Sequence, residues 1–114
     1  RARGEVTYDG HTYVFDPADS FAVLDWGRGV WTYKNTWYWG SASGAVDGVP
    51  FGWNIGYGFG NTSAASENML FYNGKAHKLS QVKFNIPGKA ILDDGRVIEI
   101  KDFPGFAEKV SNKW

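Results

Sequence analysis

Two carboxyl side chains are the candidates for acid–base chemistry in this sequence. Asp25 lies between Leu24 and Trp26, in a run that alternates like a buried strand. A carboxyl group buried among apolar side chains retains its proton and can act as a general acid. Glu67 follows five small residues, and with Asp25 it could supply the two carboxyls of a glycoside hydrolase. The alternatives are that Asp25 pairs with Arg28 or caps the following turn, and that Glu67 is a solvated surface carboxylate.

Aromatic and polar side chains near Asp25 form the candidate ligand-binding set. Arg28, between two glycines, could present its guanidinium to a carboxylate ligand or instead be the partner of Asp25. Trp37 and Trp39 could stack on a sugar ring or line a lipid cavity, and the alternative is that both rings are core. The loop at residues 62–66 could bind the polar end of a ligand or be a solvated turn. The whole candidate set is Trp26, Arg28, Trp31, Trp37, Trp39, Ser41, Asn54 and Glu67.

A hairpin around Asp47-Gly48 is predicted to position the tryptophans. This dipeptide favours a two-residue turn, which pairs Trp39 with Gly56 and Ser41 with Asn54. Even-numbered positions from 52 to 60 are all glycine except Asn54. One face of the hairpin therefore carries tryptophan rings over a glycine floor. The other face is predicted to be core and carries Tyr38, Phe51, Trp53 and Tyr57.

The rest of the chain predicts short strands and one helix. Strands are expected at residues 5–8 and 11–15, 20–26, 68–72 and 75–79, 81–86, 90–92 and 96–100, with a loop at 27–35. Beyond Asp102, a candidate N-cap, apolar residues from Phe103 to Trp114 recur at helical spacing and predict a short C-terminal helix. The expected fold class is all-β, an antiparallel meander that curls into a barrel or half-barrel, with this helix laid on the sheet.

Composition excludes several function classes. The 12 basic and 12 acidic residues leave no basic excess for nucleic acid or an anionic membrane. No apolar run approaches the roughly 20 residues of a membrane span. His11 and His77 lack partners at metal spacing, so neither a metal site nor a cofactor is expected. The absence of cysteine and of a signal peptide favours a cytoplasmic location.

Three long sequence runs carry a resemblance to a known family. Residues 20–31 contain SFAVLDWGRGVW, residues 36–44 contain TWYWGSASG, and residues 51–60 contain FGWNIGYGFG. Through these and TSAASEN at residues 62–68, the chain from about residue 4 to residue 86 closely resembles DUF2804, an uncharacterised bacterial domain family. That resemblance implies no particular function.

A looser likeness covers about residues 23–57. The lipocalin-like domains of the AttH and carotenoid-hydratase group also place an Asp and a Trp-Gly ahead of a Trp-x-Trp strand, as Asp25, Trp26-Gly27 and 37–39 do here. This likeness implies a lipocalin-like barrel, an isoprenoid or other lipophilic ligand, and acid chemistry at Asp25. No histidine follows Asp25, as one commonly does in that group.

These observations lead to one leading function and three alternatives. We expect a single β domain over residues 1–114, a fragment or miniature of a longer lipocalin-like protein, because DUF2804 members are longer and the chain starts without methionine. The leading hypothesis is binding of a small, largely apolar, lipid- or isoprenoid-like molecule in a cavity lined by tryptophan and glycine. The alternatives are an enzyme that uses Asp25 on a lipophilic substrate, a carbohydrate-binding module that stacks sugars on Trp37 and Trp39, and a structural domain without a site. Exposed sheet edges would allow an oligomer.

Overall fold

The computed structural model describes residues 1–82 and 89–113, and in these residues every regular element is a β-strand. The strands are β1 (Gly4–Tyr8), β2 (His11–Phe15), β3 (Lys34–Val46), β4 (Val49–Tyr57), β5 (Met69–Tyr72), β6 (Lys75–Lys78), β7 (Lys89–Ile91), β8 (Val97–Glu99) and β9 (Gly105–Lys113).

The strands form three antiparallel sheets. A central sheet has the order β6-β5-β4-β3-β9, and the β1-β2 and β7-β8 hairpins are separate two-stranded sheets. The all-β antiparallel prediction is confirmed. The central sheet is open, with β6 and β9 as its edges, so the described strands do not close into a barrel. Across residues 1–82 and 89–113, no helix has the length and apolar character needed to cross a membrane.

The hairpin that carries the tryptophans has the predicted register. Asp47 and Gly48 have φ values of 50° and 77°, and a two-residue turn between antiparallel strands requires such positive angles. Trp39 is paired with Gly56 and Ser41 with Asn54, as the alternation predicted. The turns at Asp9-Gly10 and Asn73-Gly74 have the same left-handed angles, which confirms the other two hairpins with two-residue turns.

The second face of the β3-β4 hairpin packs on the core. Phe51 and Leu70 are buried there with Ala90 and Leu92 of the β7-β8 region. The ring of Phe103 covers this cluster, with its centroid 5.4 Å from that of Phe51. The core therefore lies on one side of the central sheet.

A buried histidine joins β6 to the β7-β8 hairpin. His77 is 1% exposed, and its Nδ1 donates to Asp93 Oδ1 at 2.5 Å. Its Nε2 is buried and has no partner among the described residues. This contact fixes the β7-β8 hairpin, which covers the core side of the central sheet.

The predicted C-terminal helix is wrong, because residues 105–113 form β9. This strand pairs with the outer edge of β3, with Trp39 opposite Glu108 and Trp37 opposite Val110. The long β3 would otherwise leave a row of backbone groups unpaired, and an antiparallel strand satisfies them. Asp102 has φ 48°, whereas a helix N-cap needs a β-region angle, so the expected cap is absent.

Residues 20–26 are not a strand, which corrects a second prediction. Ser20 accepts a hydrogen bond from the Ala2 N–H and donates one to the Asp16 carbonyl, both at the start of the segment. Leu24, farther along, is 87% exposed. Alternation of apolar side chains requires a paired neighbour to produce a strand, and this segment pairs with none of the described strands. Residues 22–26 lie instead beside Trp39, Ser41 and Asn54 on one face of the central sheet. The predicted strand at 81–86 lies mostly outside the described residues.

Candidate functional site

The candidate site lies on the tryptophan face, which we define as Trp37, Trp39, Ser41 and Ser43 of β3 with Gly52, Asn54 and Gly56 of β4. These side chains share one face because alternate residues of a strand point the same way. Residues 22–27, which we name the crossing segment, lie along this face and line two clefts. The tryptophan face is thus partly covered and partly open.

The first cleft has aromatic walls and a volume of about 340 Å³. Trp31, Trp37, Trp39 and Phe59 line it. The ring centroid of Phe59 is 5.1 Å from that of Trp31 and 5.2 Å from that of Trp37, and both pairs are edge to face. Because such pairs are favourable and geometrically specific, the three rings form a defined wall.

Glycines in the loop after the crossing segment hold Trp31 in place. A Cβ added at Gly29 would lie 3.2 Å from the Trp31 ring, and one at Gly27 would lie 3.4 Å from it. The indole therefore packs directly on glycine backbone. The DWGRG run supplies the space for Trp31 to turn toward the cleft.

A chain of hydrogen bonds fixes the second tryptophan. Trp39 Nε1 donates to Asn54 Oδ1 at 2.9 Å, and Asn54 Nδ2 donates to Glu67 Oε2 at 3.0 Å. The ring of Trp39 also meets Phe106 edge to face, with centroids 4.7 Å apart. Trp39 is half-buried, so its indole is anchored at one edge while part of it borders both clefts.

At the glycine floor, the backbone of β4 lies close to the backbone of β3 and to the Trp39 ring. A Cβ at Gly56 would lie 3.0 Å from the Tyr38 carbonyl oxygen and 3.4 Å from Cδ1 of Trp39. The Gly56 N–H in turn donates to Asn68 Oδ1 at 2.6 Å. A side chain at position 56 would have to displace β3 or the indole, which is why glycine suits this position.

The second cleft lies on the same face and has a volume of about 540 Å³. Its apolar lining includes Val23, Leu24, Met69 and Phe71. Asp25, Trp39 and Glu67 line both clefts, so these three side chains stand between them.

The structure brings together all but one of the predicted site residues. Trp31 and Trp37 line the first cleft, and Trp26, Ser41 and Asn54 line the second; Asp25, Trp39 and Glu67 line both. Ser41 is buried and donates through Oγ to the Trp53 carbonyl at 3.2 Å. Arg28 lines neither cleft, and no ion pair of the described residues joins it to Asp25.

Asp25 lies at the clefts but is exposed rather than buried. The expectation of a buried position was wrong, because the strand that would have buried it does not form. Its catalytic role stays a prediction. The part of the chain that the structure describes contains no group of three or more His, Cys, Asp or Glu side chains placed to hold a metal ion.

Glu108 and Phe59 are among the cleft residues that the sequence analysis did not select. Glu108 lines the first cleft, and its Oε1 accepts a hydrogen bond from Trp37 Nε1 at 3.3 Å. The sequence analysis missed Glu108 because it predicted a helix there, whereas a strand paired with β3 puts Glu108 beside Trp37. Phe59 was visible in the alternation of residues 51–60, but its position between two tryptophan rings depends on a loop that local patterns do not describe.

The chain belongs to the DUF2804 family, described as a domain of unknown function, whose model matches residues 1–89. The match includes the crossing segment, β3, β4 and the loop that carries Glu67. Strands β8 and β9, with Phe106 and Glu108, lie beyond it. No match was found among curated proteins or among solved structures.

Proposed function

We propose that this DUF2804 protein binds a small, largely apolar molecule on its tryptophan face. The observation that carries the proposal is the aromatic cleft formed by Trp31, Phe59 and Trp37, which adjoins at Trp39 a second cleft with a mixed apolar and polar lining. Small-molecule sites are concave and mostly apolar, with a few placed polar groups that orient the ligand. Asn54 and Glu67 are such groups here, because their hydrogen bonds already hold them in position.

We also propose that the central sheet corresponds to part of a lipocalin-like barrel. The consecutive order of β3, β4, β5 and β6 is that of an up-and-down meander, which supports it. In this proposal the tryptophan face is the inner, ligand-facing side, and the crossing segment covers it where further strands would close a barrel. The resemblance over residues 23–57 supports the same side of the sheet as the ligand side.

A carbohydrate module is the second candidate. Its support is that Trp37 and Trp39 are half-buried and each donates through Nε1 to an amide or carboxylate oxygen. Rings with polar groups at their edges can stack on a sugar and bond its hydroxyls. The open first cleft would admit a single sugar ring.

Truncation of Trp39 tests the proposal. We expect Trp39→Ala to weaken binding of decanol, used as the apolar probe, by about tenfold or more, because the indole's apolar area is lost from both clefts. Binding is measured by isothermal titration calorimetry, and stability by urea unfolding of the same samples. Tyr13→Ala is the matched control, since Tyr13 is 49% exposed on β2 and lines neither cleft.

The comparison of the two readouts decides the outcome. The proposal is supported if Trp39→Ala loses more decanol affinity than the unfolded fraction of the variant can explain. If the unfolding of Trp39→Ala explains all of the lost binding, the ring belongs to the core and the proposal fails. Binding of a monosaccharide in place of decanol would support the carbohydrate module instead.

A further inference from the structure

We propose that the ligand is an amphiphile with a cationic ammonium head group, and that this head lies in the first cleft. The inference rests on the proposed function and adds to it the chemical class of the ligand's polar end. It follows from the walls of the first cleft, from the signs of the charges along it, and from the contrast with the second cleft.

The walls of the first cleft suit a cation. Trp31, Trp37 and Trp39 line it, and the face of an aromatic ring attracts a positive charge, most strongly for tryptophan. Trp31 is 44% exposed and the other two rings are half-buried, so each retains accessible surface. Several rings around one small volume are the arrangement that recognises quaternary ammonium groups.

The described residues that line the first cleft carry charges of one sign. Asp25, Glu67 and Glu108 contribute carboxylates, and among residues 1–82 and 89–113 neither Lys nor Arg lines either cleft. Arg28, the expected anchor for a carboxylate ligand, lies outside both. Lys78, on β6, donates through Nζ to both oxygens of Ser66 at the rim and is not itself in the lining.

The two glutamates are held by neutral groups rather than by cations. Glu67 accepts from the Asn54 amide and Glu108 from the Trp37 indole. The ion pairs of the described residues join His77 to Asp93 and Arg96 to Asp94, so neither glutamate has a cationic partner there. A carboxylate head would be repelled from this cleft, and an ammonium head would be attracted.

The second cleft suits the tail of the same molecule. Its lining is mixed, and the apolar part is formed by Val23, Leu24, Met69 and Phe71. The carboxylates of Asp25 and Glu67 lie where this cleft adjoins the first one, beside Trp39. An amphiphile with its head among the tryptophans can extend its chain past Trp39 into the second cleft.

Three probes with one tail test the inference on the whole protein. Dissociation constants of decyltrimethylammonium, decanol and decanoate are measured by calorimetry in low-salt buffer at neutral pH, below the micelle concentrations of the two ionic probes and the solubility limit of decanol. We expect the ammonium probe to bind about tenfold more tightly than decanol, and decanoate to bind most weakly. The preference for ammonium should shrink as salt is added, because salt screens exposed charges.

Charge-removing variants connect the preference to named side chains. Glu67→Gln and Glu108→Gln keep an oxygen that can accept the existing hydrogen bonds and remove only the charge. Each should lower the ratio of the ammonium affinity to the decanol affinity by about three- to tenfold. Glu99→Gln, at an exposed position on β8 outside both clefts, is the matched control and should change neither.

The outcomes separate this inference from the proposed function. Equal binding of ammonium and decanol, or tightest binding of decanoate, overturns the inference and leaves the apolar binding function intact. Preferential ammonium binding that Glu67→Gln and Glu108→Gln do not alter overturns the assignment of the head to the first cleft. If none of the three probes binds, the proposed function fails together with the inference.

Discussion

Asn54 is the side chain whose removal should most clearly reveal how the site is held. In Asn54→Ala, the Trp39 indole loses its acceptor at 2.9 Å and Glu67 loses its donor at 3.0 Å. A neutral hydrogen bond contributes about 0.5–1.5 kcal/mol and one to a charged group about 1.5–3 kcal/mol. Because Asn54 is half-buried and Glu67 exposed, we take the low end of both ranges and expect a loss of about 2 kcal/mol.

Urea unfolding measures this loss. For a chain of this size, a change of about 2 kcal/mol shifts the midpoint by roughly 1 M urea at constant slope. Asn61→Ala is the control, since Asn61 lies in an exposed loop and accepts a local bond from the Ser63 N–H. That variant should stay within about 0.5 kcal/mol of the parent.

A second substitution at the same position tests the geometry rather than the packing. Asn54→Asp retains an acceptor for the Trp39 indole. Its second carboxylate oxygen, however, replaces the amide that donates to Glu67, so two carboxylates face each other at about hydrogen-bonding distance. The variant should be destabilised at neutral pH and recover on acidification, when one of the two carboxyls takes up a proton. The hydrogen-bonded chain would be refuted if Asn54→Ala lost no more stability than Asn61→Ala. It would also be refuted if the stability of Asn54→Asp did not depend on pH.

Two further predictions concern the opposite side of the sheet. Phe103→Ala should lower the free energy of unfolding in urea by about 2–3 kcal/mol, because it removes a half-buried ring from contact with Phe51. Phe15→Ala, at a 41% exposed position on β2, should lower it by less than about 1 kcal/mol. Equal losses would contradict the core assignment. The hydrogen bond from Arg96 lowers the pKa of Asp94 from 3.8 to about 2. The ionised carboxylate therefore stabilises the fold at pH values above 3.8, and this contribution is lost as the pH falls toward 2. Parent and Asp94→Asn should therefore differ in urea midpoint near neutral pH and converge as the pH falls below 3.8, and a difference that persists at about pH 2 would contradict this pairing.

Turn chemistry made the β3-β4 hairpin predictable. Asp47-Gly48 can adopt two positive φ angles, and this fixes the register that puts Trp39 over Gly56. A slip of one residue would exchange the two faces, so alternation and turn support the same pairing. The tryptophan face could therefore be derived before any contact was known.

Long-range pairing made β9 and the crossing segment unpredictable. Residues 103–114 have helical spacing, yet β9 pairs with β3, about 70 residues earlier in sequence, because the edge of that strand needs hydrogen bonds. Residues 20–26 alternate like a strand, yet they pair with none of the described strands, and residues 22–26 lie over the tryptophan face instead. The sequence thus singled out Asp25 and Trp31 as candidates, which line the first cleft, but could not place Glu108 beside them.

The most direct test of binding on the tryptophan face is an NMR titration of the nitrogen-15-labelled protein with decanol. The account predicts saturable shifts for the indole N–H signals of Trp37 and Trp39 and for the Gly56 amide, while amides of β7 and β8 on the core side stay unchanged. Absence of shifts, or shifts centred on β7 and β8, would contradict it.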